Sequence, residues 1–263
     1  MRLQDQIVLV TGSSRGVGLA IAKAFRAQGA QVVLNYHSSD PETVAGVAKD
    51  MGGAFPFRAD VTDPDQVKAL FDAAEKHFQR PITTVVNNAI TGGFEFNGES
   101  GRRKIPDISW SDFDGQLQGF LRGTLNTTRA ALPGFEKFAG GGGGGGGGGR
   151  IINIGSNLFH NPVVPYHDYT AAKGALLGFT RTCAAELGPK GVTVNMVSGG
   201  LLETTDASAS TPEEVFEQIK AITPLRRVTT PEDLAGAVLF FAGPWADAIT
   251  GQELIVDGGL VMR

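Results

Sequence analysis

A short apolar run that breaks into glycines constrains this chain more than any other feature. Ile7-Val8-Leu9-Val10 is continuous and apolar, as in a strand buried on both faces. Thr11-Gly12-Ser13-Ser14-Arg15-Gly16-Val17-Gly18 follows at once. Leu19 to Gln28 then reads as a helix closed by Gly29. Strand, glycine turn and helix in that order predict a phosphate cradle. Glycines let the backbone approach a pyrophosphate, and the helix N-terminus offers free N–H groups with a partial positive charge.

The unit then repeats. Gln31 to Ser38 reads as a second strand. A dinucleotide with a free 2′-hydroxyl usually meets an acid near the end of this strand. Asn35, Tyr36, His37 and Ser38 occupy that region instead, and Arg15 offers a guanidinium that can reach a 2′-phosphate. The expected cofactor is therefore NADP(H) rather than NAD. Asp40-Pro41 opens a helix to about Met51, and Phe55–Arg58 is a third strand ending in Asp60-Val61. Thr62 is the expected N-cap of a helix running to about Phe78, and Thr83–Val86 is a fourth strand ending in Asn87-Asn88-Ala89. Alternation at this spacing predicts one α/β domain over residues 1–263, a doubly wound parallel sheet of about seven strands with helices on both faces.

The formal net charge of −4 gives no general attraction to nucleic acid or to an anionic membrane. No apolar run approaches the roughly 20 residues of a membrane span, and no signal-peptide pattern opens the sequence. The single cysteine, Cys183, falls in a helical apolar pattern and reads as core filler. A cytoplasmic location is the default expectation, and no metal site is expected.

Chemistry concentrates between Ser156 and Lys173. Ser156 follows the strand-like Ile151-Ile152-Asn153-Ile154, and Tyr169 and Lys173 are four apart. On a helix those two side chains share a face, one turn apart. A hydroxyl, a phenol and an ammonium would then meet in one pocket. A carbonyl that accepts hydride develops negative charge on oxygen and needs a proton there. A nearby lysine cation favours the phenolate and brings the phenol toward working pH, while the serine hydroxyl can hydrogen-bond the same oxygen. Tyr-x-x-x-Lys by itself is common; the glycine turn upstream is what gives it weight.

Taken together, the chain resembles the short-chain dehydrogenase/reductase family, of the type that includes 3-oxoacyl-[acyl-carrier-protein] reductases. The glycine turn, Asp60, Asn87-Asn88-Ala89, Ser156, Tyr169, Lys173, Asn195 and Val256-Asp257-Gly258-Gly259 fall in family order over essentially the whole chain. The resemblance implies a Rossmann fold and an NADPH-dependent carbonyl reductase. It implies that the Ser13–Gly18 backbone, with Gly12, Ser14, Arg15, Gly16, Val17 and Gly18, holds the pyrophosphate. Asp60 and Val61 would border the adenine, with Tyr36, His37 and Ser38 beside its ribose. Asn88 and Ala89 would lie under the ribose and nicotinamide, and Gly200, Leu202 and Thr204 near the carboxamide. Tyr169 would be the proton donor, with Lys173 on the ribose. The implied substrate is a 3-oxoacyl thioester carried by acyl carrier protein or coenzyme A, and the implied assembly a homodimer or homotetramer.

Four departures stand out. Asn-Asn-Ala-Gly reads Asn87-Asn88-Ala89-Ile90, and Pro-Gly after the sixth strand reads Ser198-Gly199-Gly200. Phe120 occupies the place of a family asparagine that holds a water in the proton relay from the lysine; Gln116, one turn earlier, is a possible substitute. Tyr166 lies seven residues before Lys173, the spacing used by enoyl-thioester reductases of the superfamily, so alkene reduction is one alternative reading, beside a reductase or dehydrogenase of another ketone, alcohol or sugar and a non-catalytic NADP(H)-binding protein.

Residues 91–108 form a polar loop at the expected ligand edge, where Phe94, with Phe120 and Tyr166, is a candidate substrate contact. Arg102-Arg103-Lys104 would meet an acidic carrier or would simply be solvated. Ser109 to Phe138 reads as one long helix in which Gly115, Gly119 and Gly123 form a stripe for close packing, expected against a second subunit. Gly140–Gly149 is ten consecutive glycines, expected to be a flexible linker inside the domain. Glu203 to Thr211 is a candidate mobile lid.

Overall fold

The computed structural model describes residues 1–90, 103–140, 148–203, 205 and 208–262. Among them, seven strands form one parallel sheet: β1 (Ile7–Val10), β2 (Gln31–Tyr36), β3 (Phe55–Arg58), β4 (Thr84–Asn87), β5 (Gly149–Ser156), β6 (Val192–Gly199) and β7 (Glu253–Val256). Their spatial order is β3-β2-β1-β4-β5-β6-β7. The order reverses at β1, which pairs β2 on one side and β4 on the other, so a crevice opens beyond the C-terminal ends of these strands.

Period-two burial explains why β1 is apolar throughout. Val8 and Val10 enter one hydrophobic layer with Ile21 and Phe25 of α1 (Gly16–Ala27) and Leu234, Val238 and Phe241 of α8 (Pro231–Ala242). Ile7 and Leu9 enter the opposite layer with Leu70 of α3 (Pro64–Phe78), Phe135 of α5 (Gly123–Gly140) and Leu187 of α6 (His167–Leu187). The remaining helices are α2 (Pro41–Asp50), α4 (Trp110–Leu117) and α7 (Glu213–Ile222).

Several local expectations are corrected. Helix α1 begins at Gly16, inside the glycine turn, rather than at Leu19. Asp63, not Thr62, caps α3, accepting from the backbone of Asp65 and Gln66, while Thr62 donates to Asp60. The expected long helix after residue 109 is interrupted. A π-helical turn at Gln118–Arg122 separates α4 from α5, and such widened turns gather at functional sites. Of the glycine stripe, a Cβ on Gly115 would touch nothing within 4 Å, whereas one on Gly123 would come 2.8 Å from Val61 Cγ2. The close approach at Gly123 is thus made within the chain.

The glycine run is also more than a linker at its end. Gly148 N–H donates to Gly191 O at 2.8 Å. Gly149 opens β5, and a Cβ there would lie 2.5 Å from the Phe135 ring. Residues 141–147 lie outside the described residues. Cys183 is buried, as expected of a core filler, and burial raises its thiol pKa. Among the described residues no helix is long and apolar enough to cross a membrane.

Candidate active site

The glycine turn is pinned from behind. Gly12 has φ of +61° and Gly16 +55°, conformations that favour glycine. Asn35 Oδ1 accepts from Gly12 N at 3.1 Å, and its Nδ2 donates to Ala59 O at 2.9 Å. This side chain therefore clamps the turn to the neighbouring strand end. Asn88 does likewise: its Nδ2 donates to Thr11 O at 2.9 Å and Gly12 O at 3.1 Å. A Cβ on Gly18 would meet that amide at 2.6 Å, which explains the glycine. Asn88 and Gly18 thus form the back of the turn. In front, a Cβ on Gly16 would meet nothing within 4 Å. That open space before the N-terminus of α1 fits a pyrophosphate, which the free N–H groups would bind.

A cleft of about 990 Å³ runs from this turn to Ser156, Tyr169 and Lys173. Gly12, Ser14, Arg15, Gly16 and Val17 line its turn end, with Tyr36, His37 and Ser38 beside them. Ser14 Oγ and Ser39 Oγ lie 2.8 Å apart at this rim. Asp40, the nearest acid in sequence, is occupied as the α2 N-cap, its Oδ2 accepting from Thr43 N and Oγ1. Asp60, Val61 and Ala89 line the middle of the cleft. Asn126 donates to Val61 O at 3.0 Å, so it braces this wall.

The reactive end forms where β5 meets α6. Ser156 is the last residue of β5, and its Oγ accepts from Leu158 N at 3.2 Å. One turn apart on α6, Tyr169 and Lys173 face the same way and are 4% and 3% exposed. Ser156 and Tyr169 are hydrogen-bonded, and Lys173 Nζ donates to Ile154 O at 2.7 Å. Burial pushes the Tyr169 phenol up to about 12, against the Ser156 hydrogen bond, which lowers it. Burial also pulls Lys173 down to about 7. The expected lowering of the phenol by a lysine cation is therefore reversed in the protein alone, because removal from water disfavours both charges.

Phe120 is placed differently from the expectation. It does not line the cleft; its ring lies behind, 3.7 Å from Lys173 Nζ and edge-on to Tyr169 with centroids 5.6 Å apart. Gln116 is buried and its Oε1 has no partner among the described residues, but it does not line the cleft either. Tyr166 precedes α6, is 3% exposed, and lines the cleft while packing in one cluster with Phe120 and Tyr169. Gly200 and Leu202 line the far wall, and a Cβ on Gly200 would crowd Asp257 and Asn157, themselves hydrogen-bonded at 2.9 Å. Asn195 ties β6 to the chain before β7 through Ile249 O and Gln252 N. Phe94 and Thr204 lie outside the described residues, as does part of the candidate lid. Within its described part, Ser208 donates to Leu202 O at 2.7 Å.

One wall escaped the sequence reading. Val215, Ile219 and Ile222 of α7 line the cleft, as do Val163, Val164 and Leu260. Their i, i+4, i+7 spacing was the available signal. It marks an apolar stripe but cannot say whether that stripe meets a core or a ligand.

The family model described as "Enoyl-(Acyl carrier protein) reductase" matches residues 12–261. The chain belongs to the short-chain dehydrogenase/reductase family. A 3-oxoacyl-[acyl-carrier-protein] reductase of Synechocystis sp. is 36% identical, covering 99% of this chain and 98% of its own. An NADPH-dependent aldehyde reductase 2, chloroplastic, of Arabidopsis thaliana is 33% identical over 99% of this chain and 95% of its own. A crystal structure provisionally described as a gluconate dehydrogenase from Agrobacterium tumefaciens superposes with a TM-score of 0.84 at 28% identity, covering 98% of this chain and 97% of that one. The protein is thus an oxidoreductase with a nicotinamide dinucleotide cofactor, acting between alcohol and carbonyl.

Proposed function

We propose that this short-chain reductase uses NADPH to reduce 3-oxoacyl thioesters to 3-hydroxyacyl thioesters. The observation that carries the reading is the convergence of Ser156, Tyr169 and Lys173 at one end of the cleft. The bound dinucleotide supplies the hydride, delivered to the carbonyl carbon. Tyr169 gives its proton to the oxygen; a phenol held near 12 keeps that proton until the oxygen gains charge. The Ser156 hydroxyl donates to the same oxygen and stabilises its developing charge. Lys173 orients the dinucleotide's ribose and restores the proton to Tyr169. Support for NADP(H) comes from the rim, where Ser14, Arg15, His37 and Ser39 gather at the end of β2, while the lining carboxylate, Asp60, lies at the end of β3.

An acyl substrate fits the apolar wall of Val215, Ile219 and Ile222. Its carrier is an acyl carrier protein or coenzyme A. Arg103 is engaged by both oxygens of Asp112, at 2.8 and 2.9 Å, which leaves Lys104 as the described cation of that loop for an acidic carrier. We further propose a homodimer or homotetramer, for which Trp110, 74% exposed on α4, offers an apolar anchor.

A second reading is favoured by a specific residue: Tyr166 also lines the cleft, so reduction of an enoyl thioester with Tyr166 as donor is the alternative. The test is NADPH oxidation with 3-oxoacyl and 2-enoyl thioesters side by side, in wild type, Tyr169→Phe and Tyr166→Phe. Turnover of the oxo substrate that falls by roughly 10²–10⁴-fold only in Tyr169→Phe supports ketone reduction. Turnover of the enoyl substrate lost in Tyr166→Phe would replace it.

A further inference from the structure

Lys173 is a buried amine with an aromatic ring against it. Its Nζ lies 3.7 Å from the centre of the Phe120 ring, and Phe120 is 4% exposed. On its other side Nζ donates to Ile154 O at 2.7 Å. The ring is presented by the π-helical turn Gln118–Arg122, whose extra width lets a bulky side chain enter the space against α6. Behind it, the void bordered by Phe120, Gly119, Gly123 and Asn87 is only about 10 Å³. A single water needs roughly that much, so this void has room for at most about one water. The titratable group beside Lys173 is Tyr169, whose ring centre lies 5.6 Å from Nζ; Phe120 and Tyr169 share one apolar cluster with Tyr166 and with Leu117 of α4. A desolvated ammonium over an aromatic face gains electrostatic attraction from the ring quadrupole without adding a polar group to the core.

We propose that Phe120 is a positioning residue for Lys173. Its ring face holds the ammonium against Ile154 O as a cation–π partner. The inference rests on the carbonyl-reductase chemistry but not on which carbonyl compound is reduced, so its test reads Lys173 itself. Full-length protein carrying lysine labelled with ¹³C at Cε would be titrated by NMR, with the Lys173 signal assigned by its loss in Lys173→Arg. Position 120 would carry phenylalanine or its analogues with one, three or five ring fluorines, which weaken the quadrupole while keeping the ring's shape. Phe120→Leu would remove the ring and Phe120→Tyr would keep it.

The expected result is a Lys173 midpoint that falls stepwise with fluorination, by about one pH unit at five fluorines. Phe120→Leu should shift it in the same direction, and Phe120→Tyr should leave it near wild type. The alkaline limb of the kcat profile, measured on any carbonyl compound turned over, should move down with it. A midpoint that stays put across the fluorinated series would overturn the proposal, because a merely space-filling ring would give that result. A shifting midpoint in a protein that reduces no 3-oxoacyl thioester would leave this inference standing and remove the substrate assignment instead.

Discussion

Replacing Lys173 by methionine should make the protein more stable in a pH-dependent way while removing its activity. Burial lowers the lysine from its ordinary 10.5 to about 7, so between those values the unfolded chain binds more protons than the folded one. Stability contributed at this site therefore rises as pH climbs from 7 toward 10.5, and the penalty is complete below 7. At ~1.4 kcal/mol per unit, the penalty is about 4 kcal/mol near pH 7 and under ~1 kcal/mol near pH 10. Methionine is uncharged and of similar length, so it escapes that penalty at every pH. It also leaves Ile154 O without its donor, which costs about 1–3 kcal/mol regardless of pH. The net gain near neutrality is thus about 1–3 kcal/mol, and the difference between variant and wild type should change by about 3 kcal/mol across the window. Urea unfolding of both proteins without cofactor, at fixed protein concentration and stepped pH, measures this directly. A difference that stays flat from pH 7 to pH 10 would refute the reasoning, since it would mean that Lys173 titrates alike in the folded and unfolded states.

Gly149→Val should destabilise by about 1–3 kcal/mol, because its Cβ would enter the Phe135 ring at 2.5 Å; thermal melting would show it. Asn35→Ala should cost about 2 kcal/mol and weaken dinucleotide affinity, since it strips Gly12 N–H and Ala59 O of their partner; calorimetry of NADPH binding beside a urea melt separates the two effects. Arg15→Ala should lower NADPH affinity by roughly tenfold or more and leave NADH affinity nearly unchanged, if the guanidinium meets a 2′-phosphate; equal losses for both cofactors would count against NADP preference.

The glycine turn, the strand–helix alternation and the Ser156–Tyr169–Lys173 spacing were legible because each is written in local sequence. Backbone freedom at Gly12 and Gly16, period-two burial in β1, and one helical turn between Tyr169 and Lys173 all follow from chain geometry. What escaped depends on which side of an element meets what. Asn88 was expected under the ribose and nicotinamide, yet its side-chain amide donates to Thr11 O and Gly12 O, because the turn itself needs buried carbonyls satisfied. Gly149 looks like any other residue of a glycine run until Phe135 closes over it.

Phe120 shows the division most sharply. The sequence alone identified it as an apolar residue where a polar one was expected. Only the fold, through a π turn that no local pattern announced, set its ring 3.7 Å from the lysine ammonium. The same holds for charge. The sequence determined that a phenol and an amine would be neighbours, but burial by α4, α6 and β5 together decided that the phenol rises and the amine falls. Desolvation depends on everything that surrounds a group, and that is a property of the tertiary structure.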